Sequence, residues 1–279
     1  MQISNHIELL TGYTDDLFDI LIQNFNQCKE EINMPAVHDC RVSLRRLMAL
    51  IDVLSRLHAN EKRSLAIDKK VLKKLQKRFG PTRDIHVSGK YITDNIASLC
   101  DVKSYLGWLT SQTIIIEETL MNDLKKIKFP DYLKIKDHMT QLSLKPASDV
   151  SLPRVLFGAM DGIFLETVEK IEKLDLNELD TFHSVRISLK GFRYTLEILS
   201  IVDSAYKKSL NDLKYFQDYL GEIQDLTVLE NALMNCLPDL KSEFGYDCML
   251  DFINRRVSFL SNSFYSQRYE VLKLWEIKI

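Results

Sequence analysis

The sequence is poor in the residues that break regular structure, since its 279 residues include only 9 glycines and 6 prolines. A fold of many short strands needs frequent turns, and turns depend on these two residues. The composition therefore argues against a many-turned β architecture and favours long helices. With 46% hydrophobic and 27% charged residues, the chain has enough apolar side chains to bury a core.

Motifs that pair cysteines or direct a chain to a membrane are also missing. The five cysteines form no C-x-x-C pair: Cys28, Cys40, Cys100, Cys236 and Cys248. This pattern predicts reduced thiols of a cytosolic protein, most of them small core residues. The first ten residues do not resemble a secretory signal, and the longest uncharged run, 104–116, is too short to cross a bilayer as a helix. We expect a soluble, cytoplasmic protein with no membrane partner.

The net charge of −2 gives no excess of one sign, but the charges are unevenly distributed. Residues 38–90 carry 14 lysines and arginines against 5 acidic residues, whereas the rest of the chain carries 23 against 34. The total charge by itself predicts no polyanionic partner, whereas the local excess is informative.

Helical periodicity runs through nearly the whole chain. Helices are predicted over residues 14–33, 35–58, 60–79, 82–100, 101–128, 131–141, 153–174, 178–202, 205–220, 222–236 and 239–266. Residues 142–152 are the best linker candidate, and the last twelve residues fit either a strand-like tail or a final helical turn.

The predicted helix over 178–202 places cations beside its buried face. Four basic side chains fall within about 80° of arc at helical spacing: His183, Arg186, Lys190 and Arg193. The adjoining stripe is apolar, with Val185, Leu189, Phe192, Leu196 and Leu199. Solubility does not require charges at the edge of a core, so the row indicates a groove or channel that binds anions.

The same pattern occurs earlier in the chain. The segment HDCRVSLRR at 38–46 aligns with HSVRISLKG at 183–191, and LKKLQKRFGPTRDIHV at 72–87 aligns with LKYFQDYLGEIQDLTV at 213–228. Both blocks recur in the same order at nearly the same spacing. The sequence therefore predicts a tandem duplication, with one helical bundle in residues 1–146 and a similar one in residues 147–279.

These paired blocks resemble the CHAD family, named for a conserved histidine α-helical domain. The resemblance implies an all-α fold of two roughly four-helix bundles related by a pseudo-two-fold axis, with a basic groove between them. It also implies non-catalytic binding of inorganic polyphosphate or another linear polyanion, without a cofactor, and association with polyphosphate granules.

Twelve residues are predicted to contact the phosphate chain. They are His38, Arg41, Arg45, Arg46, Lys73, Lys77 and Arg83 in the first copy, and His183, Arg186, Lys190, Arg193 and Lys214 in the second. A phosphate polymer is a line of similar anions, so its binder needs regularly spaced donors. Arginine provides a planar fork for each phosphate, and lysine adds adjustable point charge. The neighbouring cations Lys69, Lys70, Lys74 and Arg78 are expected to contribute field without direct bonds.

Structural alternatives exist for several of these residues. A helical arginine often covers apolar surface or pairs with a carboxylate, but repetition of the pattern favours binding here. Asp84 and Asp225 are expected to cap a helix or to orient an arginine, and Glu197 to hold Arg193 extended. No H-x-x-x-H or Cys/His cluster accompanies the two histidines, so no metal site is predicted.

Two positions depart from the repeated pattern. Met48 stands where the second copy has Arg193, and Gly191 stands where the first has Arg46. Each half therefore lacks one cation that the other retains.

Two other functions remain open at this stage. A metal-dependent phosphohydrolase or polyphosphate-processing enzyme would need clustered carboxylates, which the sequence does not present around Asp84 or Asp225. An RNA or DNA binder would need aromatic residues among the basic rows for base stacking, and the rows contain almost none, which disfavours nucleic acid as the partner.

Overall fold

The computed structural model describes residues 2–145, 151–241 and 244–277. Within these ranges the chain is helical, with no strand, which confirms the predicted fold class. The helices are α1 Gln2–Glu30, α2 Met34–Leu57, α3 Lys62–Arg78, α4 Gly80–Tyr91, α5 Lys103–Lys125, α6 Pro130–Leu144, α7 Leu152–Glu172, α8 Leu179–Val202, α9 Lys207–Met234, α10 Pro238–Lys241 and α11 Phe244–Gln267. Among the described residues, no helix is both long enough and apolar enough to cross a membrane.

The helices pack around one continuous apolar core. In the first half, α1 packs against α2, α5 and α6, and in the second half α8 packs against α7 and α9. Contacts of α2 with α8 and of α4 with α9 join the two halves. The predicted boundary at residue 146 lies outside the described residues, so the duplication into two bundles remains a prediction.

Most predicted helices appear within a few residues of their expected limits, and three differ. The first begins at Gln2 rather than at residue 14. The break expected at Gly221 is wrong, because α9 continues from Lys207 to Met234. Leu220 and Ile223 are buried on either side of the glycine, and packing of this kind outweighs the roughly 1 kcal/mol helix penalty of glycine. The helix expected over 82–100 is α-helical only as far as Tyr91. A π-helical segment, Ile92–Ile96, follows it directly.

The expectation of five reduced cysteines is wrong for two of them. Cys100, just after the π-helical segment, forms a disulfide with Cys248 on α11, and the bond joins residues 148 positions apart. Beside it, Gly245 lies so close to Asp101 that a Cβ atom would overlap the Asp101 carbonyl oxygen. Cys28, Cys40 and Cys236 are free and buried, as expected of small core residues.

The C-terminal segment is helical rather than strand-like. Residues Arg268–Leu274 form a 3₁₀ helix, and Trp275 follows it into the core. The Trp275 indole N–H donates to the Asp161 carboxylate at 2.7 Å, so the buried ring retains a polar partner.

Candidate anion-binding site

The contact between α2 and α8 brings the two predicted cation rows together. Helix α2 begins after Asn33, whose side-chain oxygen accepts a hydrogen bond from the Ala36 backbone N–H at 2.9 Å. Leu44 and Leu47 on α2 are fully buried, as are Val185 and Leu189 on α8. Because these apolar side chains face the core, the basic side chains beside them lie along the rims of the two helices, where the helices meet.

Five of the twelve predicted residues form what we name the central cation cluster: Arg41 and Arg45 on α2, Arg83 on α4, and Arg186 and Lys190 on α8. These side chains are close enough for the charge of Arg45 to act on Arg41, Arg186 and Lys190. The cluster therefore combines basic side chains from both halves of the sequence.

Arg186 is the most deeply buried member of the cluster, with only 8% of its surface exposed. Its Nε–H has no hydrogen-bond acceptor among the described residues. Burial lowers the pKa of Arg186 to about 10, with Arg45 and Arg83 adding to the effect and Asp225 opposing it. An unpaired buried donor is costly, so this guanidinium is suited to receiving an anionic acceptor.

Lys190 is half-buried beside Arg186 and has no hydrogen-bond acceptor or ion-pair partner among the residues that the structure describes. Burial lowers the pKa of its amine to about 6, and the charges of Arg45, Arg186 and Arg83 lower it further while Asp225 opposes them. Without an anion, this amine is mostly neutral at pH 7.

Arg41 is oriented by the C-terminal end of α3. Its Nη1 donates to the backbone carbonyl of Gln76 at 3.2 Å, where the negative end of the helix dipole favours a cation. Burial nevertheless lowers the pKa of Arg41 to about 10, with Arg45 and other cations acting in the same direction and Asp84 in the opposite one.

Arg83 is the member of the cluster that already has carboxylate partners. Its Nη2 lies 2.7 Å from Asp225 Oδ1 on α9, and its Nη1 lies 3.2 Å from Asp84 Oδ1. Burial by itself lowers the pKa of Arg83, but the two carboxylates outweigh it and the net shift is upward. Of the two roles expected for these aspartates, orienting an arginine is therefore the one observed.

Arg46 and Arg193 meet at a single carboxylate outside the central cation cluster. Arg46 Nε lies 2.7 Å from Glu197 Oε2, and Arg193 Nε lies 3.1 Å from Glu197 Oε1. Arg193 also donates to the side-chain oxygen of Gln217 at 3.0 Å. The expected pairing of Glu197 with Arg193 is confirmed, and the link from Glu197 to α2 is an addition that the sequence did not indicate.

The remaining predicted residues lie at the edge of the cluster or beyond it. His38 is exposed, and partial burial lowers the pKa of its imidazole, as do Arg45, Arg83 and Arg41, while Asp39 opposes them. His183 is exposed and contacts Gln224. Three lysines are exposed on helix surfaces, and no contact between them and the cluster is found among the described residues: Lys73, Lys77 and Lys214.

Gln76 and Gln217 are the site residues that sequence reasoning missed. Each positions an arginine through tertiary packing, Gln76 by its backbone carbonyl and Gln217 by its side chain. The one sequence signal was that both glutamines occupy the same position of the repeated block, in LKKLQ at 72–76 and LKYFQ at 213–217. Which arginine each would contact depends on how neighbouring helices dock. No group of three or more His, Cys, Asp or Glu side chains among the described residues is arranged to hold a metal ion.

Comparison with known proteins gives two findings. A family model described as CHAD domain matches residues 15–234. The crystal structure of the CHAD domain from the plant Ricinus communis is similar to this chain with a TM-score of 0.64 and 16% sequence identity, covering 96% of this chain and 89% of that one. No curated protein matches. At this identity, the structural likeness supports the fold alone.

Proposed function

The chain belongs to the CHAD domain family, and from this premise we propose that it binds inorganic polyphosphate through the central cation cluster without catalysing a reaction. CHAD domains are generally linked to polyphosphate binding. Residue-level contacts and the groove are proposals for this chain, and they rest on the geometry of the cations.

The observation that carries the proposal is the buried guanidinium of Arg186, whose Nε–H finds no acceptor in the part of the chain that the structure describes. A protein that needed this arginine only for stability would provide an acceptor for Nε–H, because leaving a buried donor unpaired costs about 1–3 kcal/mol. A phosphate oxygen supplies that acceptor and neutralises the surrounding charges at the same time.

Members of the cluster have different roles in this proposal. Arg45 and Arg186 present guanidinium forks that bind phosphate oxygens in pairs, and Lys190 adds a point charge between them. Arg41 contributes the donors that it does not use for Gln76. Arg83, held by Asp225, contributes positive field more than direct bonds.

The outer residues extend the track on either side. We propose that His38 and His183 donate hydrogen bonds at its edge, and that Lys73, Lys77 and Lys214 attract the chain from exposed helix faces. Arg46 and Arg193 bind the phosphate chain only when a phosphate replaces Glu197 as their partner. This pre-existing pairing makes them weaker contributors than Arg186.

The test is a titration of long-chain polyphosphate into the wild-type protein and the double variant Arg186→Met/Lys190→Met. The matched control is Lys173→Ala/Arg255→Ala, which also removes two basic side chains. Both are exposed, and they pair with Glu169 and Asp251 respectively. Methionine preserves most of the buried volume, and thermal unfolding verifies that each variant folds.

We expect the site variant to lose at least about 100-fold in affinity, since the two lost charge-assisted hydrogen bonds are worth about 1.5–3 kcal/mol each. The control variant should remain close to the wild type. By analogy with DNA, affinity should fall steeply with salt through counterion release. Equal loss in both variants would contradict a specific site.

Two further assays on the wild-type protein separate the rival functions. Release of phosphate from polyphosphate in the presence of Mg²⁺ or Mn²⁺ would favour a hydrolase. Displacement of polyphosphate by RNA at equal phosphate concentration would favour a nucleic-acid binder.

A further inference from the structure

We propose that polyphosphate binding is coupled to the uptake of one proton, and that Lys190 is the group that receives it. This inference rests on the proposed function and adds the regulation of the same site by pH. The free protein holds the Lys190 amine mostly uncharged, and the entering phosphate chain makes the ammonium form favourable.

The surroundings of Lys190 support this inference. The charged groups that face it come from four elements: Arg45 on α2, Arg83 on α4, Asp225 on α9 and Arg186 on its own helix α8. Three are cations, and the one carboxylate is already bonded to Arg83 at 2.7 Å. The three arginines oppose a fourth positive charge in this half-buried place. Arginine stays protonated throughout the physiological range, so Lys190 is the member of the cluster that gives up its proton.

The pKa of the Lys190 amine agrees with these surroundings: burial and then the same cations lower it from an ordinary value of 10.5 to about 6. A phosphate chain placed against Arg45 and Arg186 reverses the sign of the local field. An opposite charge within hydrogen-bonding distance favours the ammonium form, so the pKa of Lys190 rises on binding.

The direction of the pH dependence follows from this upward change. Affinity is greatest below the pKa of the free state, about 6, and decreases as the pH rises toward the pKa of the bound state. Within this window, the linkage of one proton changes the affinity by up to about tenfold per pH unit.

Two other groups titrate nearby and must be distinguished from Lys190. The pKa of His38 is lowered by burial and by Arg45, Arg83 and Arg41, so a bound anion would also raise it. The terminal phosphates of the ligand have a second pKa of about 6 if they resemble phosphomonoesters. Contact with cations would make those termini release protons, which is opposite in sign to the proposed uptake.

The experiment is isothermal titration calorimetry of long-chain polyphosphate at pH 7.5, in two buffers that differ in ionisation enthalpy. The difference between the observed heats gives the number of protons taken up. The proteins are the wild type, Lys190→Arg, Lys190→Met and His38→Gln. Arginine keeps the positive charge but does not titrate, and methionine removes the charge while retaining much of the volume.

We expect uptake of close to one proton per site in the wild type and in His38→Gln, and almost none in the two Lys190 variants. Lys190→Arg should still bind, with an affinity that hardly changes between pH 6.5 and 8.5. Uptake that persists in Lys190→Arg and Lys190→Met, or that disappears in His38→Gln, would overturn the inference.

The result also separates this inference from the function on which it rests. Binding of polyphosphate by the wild type without proton uptake would overturn the role of Lys190 and leave the proposed function intact. Absence of binding at every pH would overturn both.

Discussion

Glu197 on α8 accepts hydrogen bonds from Arg46 on α2 through both of its carboxylate oxygens, at 2.7 and 3.3 Å. It also accepts one from Arg193, four residues earlier on its own helix. One carboxylate therefore restrains a cation from each half of the chain. The central cation cluster has no comparable acid for Arg45, Arg186 or Lys190 among the described residues.

Substitution of Glu197 by glutamine should strengthen polyphosphate binding. Loss of the carboxylate charge frees Arg46 and Arg193 for phosphate, so we expect an affinity gain of about fivefold and a steeper dependence on salt. Stability should fall by about 1–2 kcal/mol because two partly buried arginines lose their partner. Titration and denaturant unfolding measure the two effects. The control is Glu169→Gln, which removes an exposed acid paired with Lys173. An equal gain in affinity there would show that the effect comes from net charge alone.

The free protein should become more stable as the pH rises from about 6 to 8. Lys190 has a lowered pKa in the folded state, about 6, so the unfolded chain binds more protons across this window and unfolding is favoured at its acidic end. Thermal unfolding across this range tests the slope. Lys190→Met should flatten it, and a slope that this variant leaves unchanged would contradict the assignment.

Lys190→Met should also stabilise the free protein at pH 7 while it weakens binding. The substitution removes an amine whose charged form is opposed by burial and three arginines, and we expect a gain on the order of 1–3 kcal/mol. Denaturant unfolding without ligand measures it. A loss of stability would indicate that Lys190 has a structural partner in the folded protein.

The Cys100–Cys248 disulfide should make a large contribution to stability. It closes a separation of 148 residues, for which the chain-entropy treatment gives about 5 kcal/mol. We expect Cys100→Ser/Cys248→Ser, or treatment of the wild type with reductant, to lower the free energy of unfolding by that order. Reductant should not affect the double variant. Thiol titration of the unfolded protein should detect the three free cysteines before reduction, and detection of all five would contradict the bond.

The backbone of α11 should tolerate no side chain at position 245. A Cβ atom there overlaps the carbonyl oxygen of Asp101, so Gly245→Ala has to displace either α11 or the segment that follows the π-helical turn. We expect a loss of about 2 kcal/mol or more, by the overpacking range. Gly158→Ala on α7, where nothing lies near the added atom, is the matched control and should be neutral or slightly stabilising.

The sequence predicted the helices and the central cations because both depend on local periodicity. Spacing along α8 places Arg186 and Lys190 at the edge of a buried stripe, and the repeated segment predicts the matching positions Arg41 and Arg45 on α2. These inferences need only the geometry of a helix and the direction of its apolar face.

Features that depend on docking between distant segments were not predictable in the same way. The sharing of Glu197 by Arg46 requires the approach of α2 to α8, and the bond between Cys100 and Cys248 joins segments with no mutual sequence signal. The break expected at Gly221 failed for the opposite reason, since burial of its neighbours overrides a local preference.

The bond between Cys100 and Cys248 also gives the molecule an unusual response to proteases. Helices α5 to α10 lie between the two cysteines in the sequence. A single cut in this stretch would leave two fragments that migrate together on a non-reducing gel. They would separate only after the disulfide is reduced. Damage to the backbone there need not release either fragment from the other.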